Sequence, residues 1–333
     1  MPRFAPLLLL MVAVAAIAGC GGASDSSEPA VSGESSDGKS SLSLVAYSTP
    51  QVVYDELIPQ FMKTEAGRGI AFKTSYGASG DQSRAVEAGL DADIVTFSTE
   101  PDMTRLVDAG LVSPDWKQAP GEGLVTTSVV SFIVRDGNPK NIQSWQDLLK
   151  PGVEVLTPNP FTSGAAKWNL LGAYGHGGED YVRELLSEHV KVQPKSGRDA
   201  LQDFISGQGD VLLSYEYEAT TARKKGEQLE YVIPDDTIRI DIDIATTKGA
   251  PQAAQDFHRF VLSRPAQETF AEWGYRPVHK GVLADNRDKF PTPAKLYGIE
   301  RFGGWDKVND QLFDPDTGSI ALIEEELGVS TAK

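Results

Sequence analysis

From Leu42 onward, short runs of β-branched and aliphatic residues alternate with stretches in which apolar positions recur every three or four residues. A period of two marks strands and a period near 3.6 marks helices, so the alternation predicts an α/β fold with parallel strands. The predicted strands are Ser43–Ser48, Ile70–Tyr76, Asp93–Ser98, Val129–Val134, Glu154–Thr157, Val190–Gln193 and Val211–Tyr215. Between them the pattern predicts helices over Val52–Thr64, Asp81–Ala88, Pro101–Ala109, Ala165–Tyr174 and Asp199–Ser206. Pro101 suits a first helical turn, and Gly89, Gly110, Gly175 and Gly207 follow four of the helices, where positive φ is wanted. Two β-rich segments with few turn signals, Thr126–Arg135 and Asp241–Thr247, are the expected crossings between two lobes. That division gives one lobe from residues 42–126 with 247–333, its tail after Phe290 wrapping the lobe, and a second lobe from 127–246. A chain of 333 residues is long enough for two domains.

The N-terminus follows another pattern. Arg3 precedes an unbroken apolar run from Leu7 to Ile17. As a helix that run spans only about 16 Å, half the hydrocarbon core, which predicts an export signal over residues 1–19 and not a membrane span. Ile17-Ala18-Gly19-Cys20 brings small residues up to the only cysteine and resembles a bacterial lipobox, in which Cys20 is lipidated and becomes the first residue. Gly21 to Ser41 is rich in Gly, Ser, Asp and Glu, as a flexible tether would be. A lone cysteine excludes an intrachain disulfide framework and multi-cysteine metal centres. Lys and Arg number 31 against 47 Asp and Glu, a net charge of −16; without residues 1–19, 30 against 47 leaves −17. Such acidity argues against nucleic-acid binding, which needs a basic surface.

Three junctions carry the chemistry. Ser79-Gly80, Ser163-Gly164 and Ser196-Gly197 each follow a predicted strand and open a predicted helix. Serine is a good N-cap, and Ser196 with Asp199 has capping-box spacing. Glycine directly after the cap costs helix stability, which fits a place where something approaches the backbone closely. Helix N-termini at strand carboxyl ends present free N–H groups and about half a positive charge each, so three that converge form an anion site. Arg198 and Lys167 lie near two of these junctions, where they could add field without contact or sit on solvated helix faces, the solvated face being expected for Lys167.

Other motifs fail on their details. Gly77-Ala78-Ser79-Gly80 resembles part of a nucleophile elbow, but Asp81 stands where the last glycine belongs. His176, His189, His258 and His279 lack metal-ligand spacing and are expected at the surface or at helix ends. Asp314-Pro315-Asp316-Thr317-Gly318 hints at a calcium loop, but its glycine comes one position early, and a turn is expected. No cofactor motif is present.

At the junctions the sequence closely resembles the bacterial periplasmic sulfate-binding proteins. The resemblance rests on Thr157-Pro-Asn-Pro-Phe-Thr-Ser-Gly-Ala-Ala-Lys-Trp-Asn169, with Gly77–Gly80, Gly137–Lys140, Gly209–Leu212, Tyr275–Pro277 and Phe302–Trp305 in the same order. It covers about Leu42 to Phe313 and implies a two-lobed type II solute-binding fold with two crossover hinge segments. The implied protein is a non-enzymatic, monomeric receptor outside the cell membrane. It would hand sulfate to the permease and ATPase of an ATP-binding-cassette importer and be attached through lipid on Cys20. The implied oxyanion ligands are Ser48, Ser79, Ser163, Gly164, Ala165, Gly197 and Tyr215. Three positions depart from the family pattern: Tyr215 replaces a tryptophan, Ala165 a glycine, and Ser48 an acidic residue that uses its backbone N–H. Asp81 stands where a lysine is expected, and its place in a first helical turn suggests that it faces away from the ligand.

Sulfate is fully deprotonated at neutral pH, so a selective site offers donors only. Protonated phosphate facing such a site leaves a donor without an acceptor, a mismatch of about 1–3 kcal/mol or more. Thiosulfate and molybdate or tungstate share this logic and remain alternatives. An exported serine hydrolase using Ser79 or Ser163 would also need a histidine within reach.

Overall fold

The computed structural model describes residues 40–331. The predicted export signal, Cys20 and most of the tether lie outside that range. Eleven strands form the sheet system: β1 (Ser41–Tyr47), β2 (Ala71–Gly77), β3 (Ile94–Phe97), β4 (Leu124–Arg135), β5 (Val155–Leu156), β6 (Val190–Val192), β7 (Val211–Tyr215), β8 (Leu229–Val232), β9 (Asp236–Thr246), β10 (Arg276–Pro277) and β11 (Lys295–Tyr297). The helices that matter here are α1 (Gln51–Met62), α2 (Ser79–Glu87), α3 (Glu100–Asp108), α4 (Trp145–Leu148), α5 (Gly164–Glu184), α6 (Gly197–Ile205), α7 (Glu216–Lys224), α8 (Gln252–Val261) and α9 (Arg264–Glu272).

The strands run β2-β1-β3-β9-β4-β7-β5-β6 across the sheet. β1 pairs in parallel with β2 and β3, and β5 pairs in parallel with β6 and β7. These two parallel groups are joined by β4 and β9, which are antiparallel to each other and to their outer neighbours. The expected parallel strands make up each group, and at the join a direct return between groups reverses the strand. The first half of β4, Leu124 to Val129, pairs with β9; the second half pairs with β7 and β8. The segments Thr126–Arg135 and Asp241–Thr247 fall almost wholly within these two long strands.

Alternation explains β9. Ile238, Ile240, Ile242 and Ile244 are fully buried, while Arg239 and Asp241 between them face outward. Helix α5 runs well past Tyr174, so Gly175 lies inside it; the break comes at Gly178, with φ 70°. Gly89, Gly110 and Gly207 do have positive φ just beyond α2, α3 and α6. The tail packs along α5 and also touches α3. Trp305 lies edge-on to Trp168 at 4.7 Å, the Tyr297 hydroxyl donates to the Gly172 carbonyl, and Lys167 donates to Asn309. Lys167 is thus a tail-binding residue, its ammonium also 5.2 Å above the Phe313 ring, and not part of a solvated face. Among the described residues no helix is long and apolar enough to cross a membrane.

Candidate functional site

The three Ser-Gly junctions differ once folded. At the first, Ala78 is the N-cap and Ser79 the first helical residue, because the Ser79 hydroxyl is used elsewhere. It donates to Asp102 Oδ2 at 2.6 Å and accepts the Ser98 N–H at 3.1 Å. At the second, Ser163 is the N-cap of α5 in extended conformation; its N–H goes to the Asn159 carbonyl at 2.9 Å, leaving its hydroxyl. At the third, Ser196 caps α6 by accepting the Asp199 N–H and donating to the Asp199 carboxylate at 2.7 Å. The N–H groups of Gly164, Ala165 and Gly197 stand in first helical turns, which supply no intrahelical acceptor.

The glycines answer to different neighbours. A methyl group on Gly164 would stand 2.0 Å from Ser98 Oγ and 2.8 Å from Thr99 Cγ2, across from the other parallel group. At Gly80 it would meet the Thr162 carbonyl at 3.3 Å, and at Gly197 Thr49, Ala165 and Glu218 at 3.4, 3.7 and 3.9 Å. Gly164 is therefore required by close approach of the two groups, whereas Gly197 has room to spare.

Between the groups lies a small cavity, with free space of only about 10 Å³, lined by Tyr47, Ser48, Thr49, Ala78, Ser79, Ser98, Ser163, Ala165, Gly197 and Tyr215. Six of the seven ligand residues expected from sequence meet there, and Gly164 adjoins two of them. No lining residue carries a charged side chain. Positive potential comes instead from the N-termini of α2, α5 and α6. Tyr215 ends β7, caps α7 and is fully buried, with its ring stacked 4.8 Å from Tyr217, which in turn stacks 3.8 Å from Tyr275. Burial holds the Tyr215 phenol well above its ordinary range, so it keeps its proton and remains a donor. Neither the Tyr215 nor the Ser98 hydroxyl has a partner within hydrogen-bond distance, although Ser98 stands near enough to Tyr215 to lower its phenol a little against the effect of burial. Two unpartnered buried donors beside free helical N–H groups suit an oxyanion with acceptors on every side.

Sequence reasoning missed Ser98, Thr49 and Asp102. Ser98-Thr99 is a fourth strand-to-helix junction, at the end of β3, and the only signal for it was its place after a strand; it lacks the glycine that marked the others. Glu218 was also unanticipated. It is buried behind Gly197, accepts the Ser214 hydroxyl at 3.2 Å, and is pushed by burial up to about 7.

Contacts tie the two sides together around the cavity. The Arg198 guanidinium leaves α6 and donates to the Ser48 carbonyl and the Gln51 side chain. Lys195 reaches Asp81 at 3.0 Å, and the Gly80 N–H donates to the Thr162 carbonyl. Asp81 is held there and by Arg84, outside the cavity lining. A wider hollow on the solvent side of the same junctions is bordered by Arg84, Arg105, Asp102 and Asp310; its mixed charge and its lack of Tyr215 and Gly197 set it apart from the cavity.

The histidines are engaged elsewhere. His176 meets Asp236 at 2.7 Å, His189 the Val153 carbonyl, and His279 accepts the Val282 N–H at the start of a short helix. His258 stands in the last turn of α8, at a helix end as expected, but is buried there, which lowers it to about 4. None serves Ser79 or Ser163 as a base. The Asp314–Gly318 segment is a turn in which the Asp314 carboxylate accepts the Asp316 and Thr317 N–H groups.

Two parallel α/β groups, two long connecting strands and an uncharged, donor-lined cavity between the groups define a two-lobed type II solute-binding fold. The chain belongs to the bacterial extracellular solute-binding protein family, whose model matches residues 42–276. It is 38% identical to a sulfate-binding protein of Synechococcus elongatus, over 92% of this chain and 91% of that one. It is 34% identical to a thiosulfate-binding protein of Pseudomonas aeruginosa, over 82% and 92% of the two chains. The solved structure of the sulfate-binding protein SubI from Mycobacterium tuberculosis H37Rv superposes with a TM-score of 0.80 at 47% identity, covering 83% of this chain and all of that one.

Proposed function

We propose that this chain is the sulfate receptor of an ATP-binding-cassette importer, anchored outside the cell membrane by lipid on Cys20, and that it performs no chemistry on its ligand. The observation that carries this reading is the cavity itself: three helix N-termini converge on hydroxyls and backbone N–H groups with no charged side chain among them. The relatives named for sulfate support the ligand. Ser48, Ser79, Ser163, Gly164, Ala165, Gly197 and Tyr215 form the proposed binding shell, with Ser163 acting through its hydroxyl and Gly164, Ala165 and Gly197 through backbone N–H. Residues 42–126 with 247–290 form the first proposed lobe; residues 127–246, with the tail packed on α5, form the second. Closure of the two lobes dries the site, and each hydrogen bond to the dianion then contributes about 1.5–3 kcal/mol.

Isothermal calorimetry and thermal shift with sulfate, thiosulfate, molybdate and phosphate test the reading. Sulfate at one hundred times its dissociation constant stabilises the protein by about 2.7 kcal/mol. Phosphate gives no shift at neutral pH. A clear response to molybdate or thiosulfate with none to sulfate overturns the assignment.

A further inference from the structure

We propose that Ser98 is a ligand residue of this site, its hydroxyl acting beside the Tyr215 phenol on the bound oxyanion while the Ser79 hydroxyl is withdrawn from that role. The inference rests on the oxyanion-receptor reading above and adds a contact that the family resemblance did not supply.

Ser98 is 1% exposed, lines the cavity, and has a hydroxyl without a partner. Its backbone is fixed from both sides. The N–H donates to Ser79 Oγ at 3.1 Å, and the carbonyl accepts the Trp168 indole N–H from α5. Only the side chain is left to serve a ligand. That side chain lies against the Gly164 backbone, where the first N–H groups of α5 emerge. Tyr215, equally buried and equally unpartnered, lines the same cavity.

Ser79 is in the opposite situation. Its one proton goes to Asp102, which also accepts the Thr99 hydroxyl at 2.9 Å, and one of its lone pairs takes the Ser98 N–H. A hydroxyl has a single proton to give. Asp102 therefore holds Ser79 as a brace for the Ser98 loop and leaves Ser79 to meet the ligand through its backbone N–H. An unpartnered buried hydroxyl is costly in an empty cavity, and a fully deprotonated oxyanion removes that cost at Ser98 and Tyr215 together.

The two serines therefore differ in a way calorimetry can read. With the full mature chain and sodium sulfate, Ser98→Ala weakens binding at least tenfold, which is about 1.4 kcal/mol. The melting temperature without ligand stays within about two degrees of wild type, because no protein–protein hydrogen bond is lost. Ser79→Ala shows the reverse balance: a lower melting temperature, since Asp102 and the Ser98 N–H lose a partner, and a smaller loss of affinity. Tyr215→Phe weakens binding, and the double variant with Ser98→Ala departs from additivity. Ser98→Gly, which also removes the hydroxyl, replaces the alanine variant if that variant does not fold. Wild-type sulfate binding with Ser98→Ala within twofold of it overturns this proposal alone. A wild type that takes up no sulfate, thiosulfate or molybdate overturns both this and the receptor reading.

Discussion

Replacing Gly164 with alanine places one methyl group at a point of close approach between the two proposed lobes. That methyl would lie 2.0 Å from Ser98 Oγ, whereas ordinary contact begins near 3.4 Å, so about 1.4 Å of separation must be found. The ligand N–H groups at Gly164 and Ala165 survive the change, and alanine suits a helix better than glycine by up to about 1 kcal/mol. The fold therefore loses nothing. If the lobes part to make room, a hydrogen bond near 2.9 Å stretches past 4 Å and is lost. Losing two donors to a dianion, at about 1.5–3 kcal/mol each, weakens sulfate binding roughly a hundredfold to ten-thousandfold. Rotation of Ser98 relieves the clash instead at the loss of one donor, so at least a tenfold effect remains. The assay is calorimetric affinity for sulfate, with the melting temperature of the unliganded protein as control. Gly197→Ala is the matched comparison: its methyl meets neighbours at 3.4 and 3.7 Å, and affinity stays within a few-fold. Gly164→Ala with an affinity within threefold of wild type would refute the close-approach argument.

Three further outcomes are expected. The Arg276 guanidinium forms a bidentate, buried pair with Glu216 between β10 and α7, so Arg276→Met strands a carboxylate and costs about 3–5 kcal/mol in urea unfolding. Replacing Glu216 as well should recover most of that loss. Burial raises Glu218 from 4.5 to about 7, so the folded protein keeps a proton that the unfolded chain has released. Its contribution is present below pH 4.5 and is lost as pH rises through about 7, an order of 3 kcal/mol that Glu218→Gln should remove from the pH profile of stability. A profile unchanged by Glu218→Gln contradicts this account. Finally, Cys20→Ala should move the protein from the membrane fraction to the soluble fraction; retention on the membrane argues against a lipid anchor there.

Periodicity was enough to find the seven strands and five helices around which the cavity is built, because strand and helix repeats are local properties of the chain. It did not find α7, since Tyr215 is at once the last residue of β7 and the cap of α7, with no turn residue between them. The direction of β4 and β9 was likewise not legible, because alternation states which face is buried and not which neighbour is paired.

At the site, the chain alone determined where helix N-termini with free N–H groups would stand, through Ser-Gly pairs after strands. Only the tertiary structure decided which groups those termini share. Ser79 lost its side-chain role to Asp102, 23 residues away. Ser98 gained one because its backbone bonds are satisfied by Ser79 and Trp168. Gly164 became indispensable through an atom on the opposite lobe. Each of these turns on one proton or one ångström between residues far apart in sequence, and such distances exist only once the chain has folded.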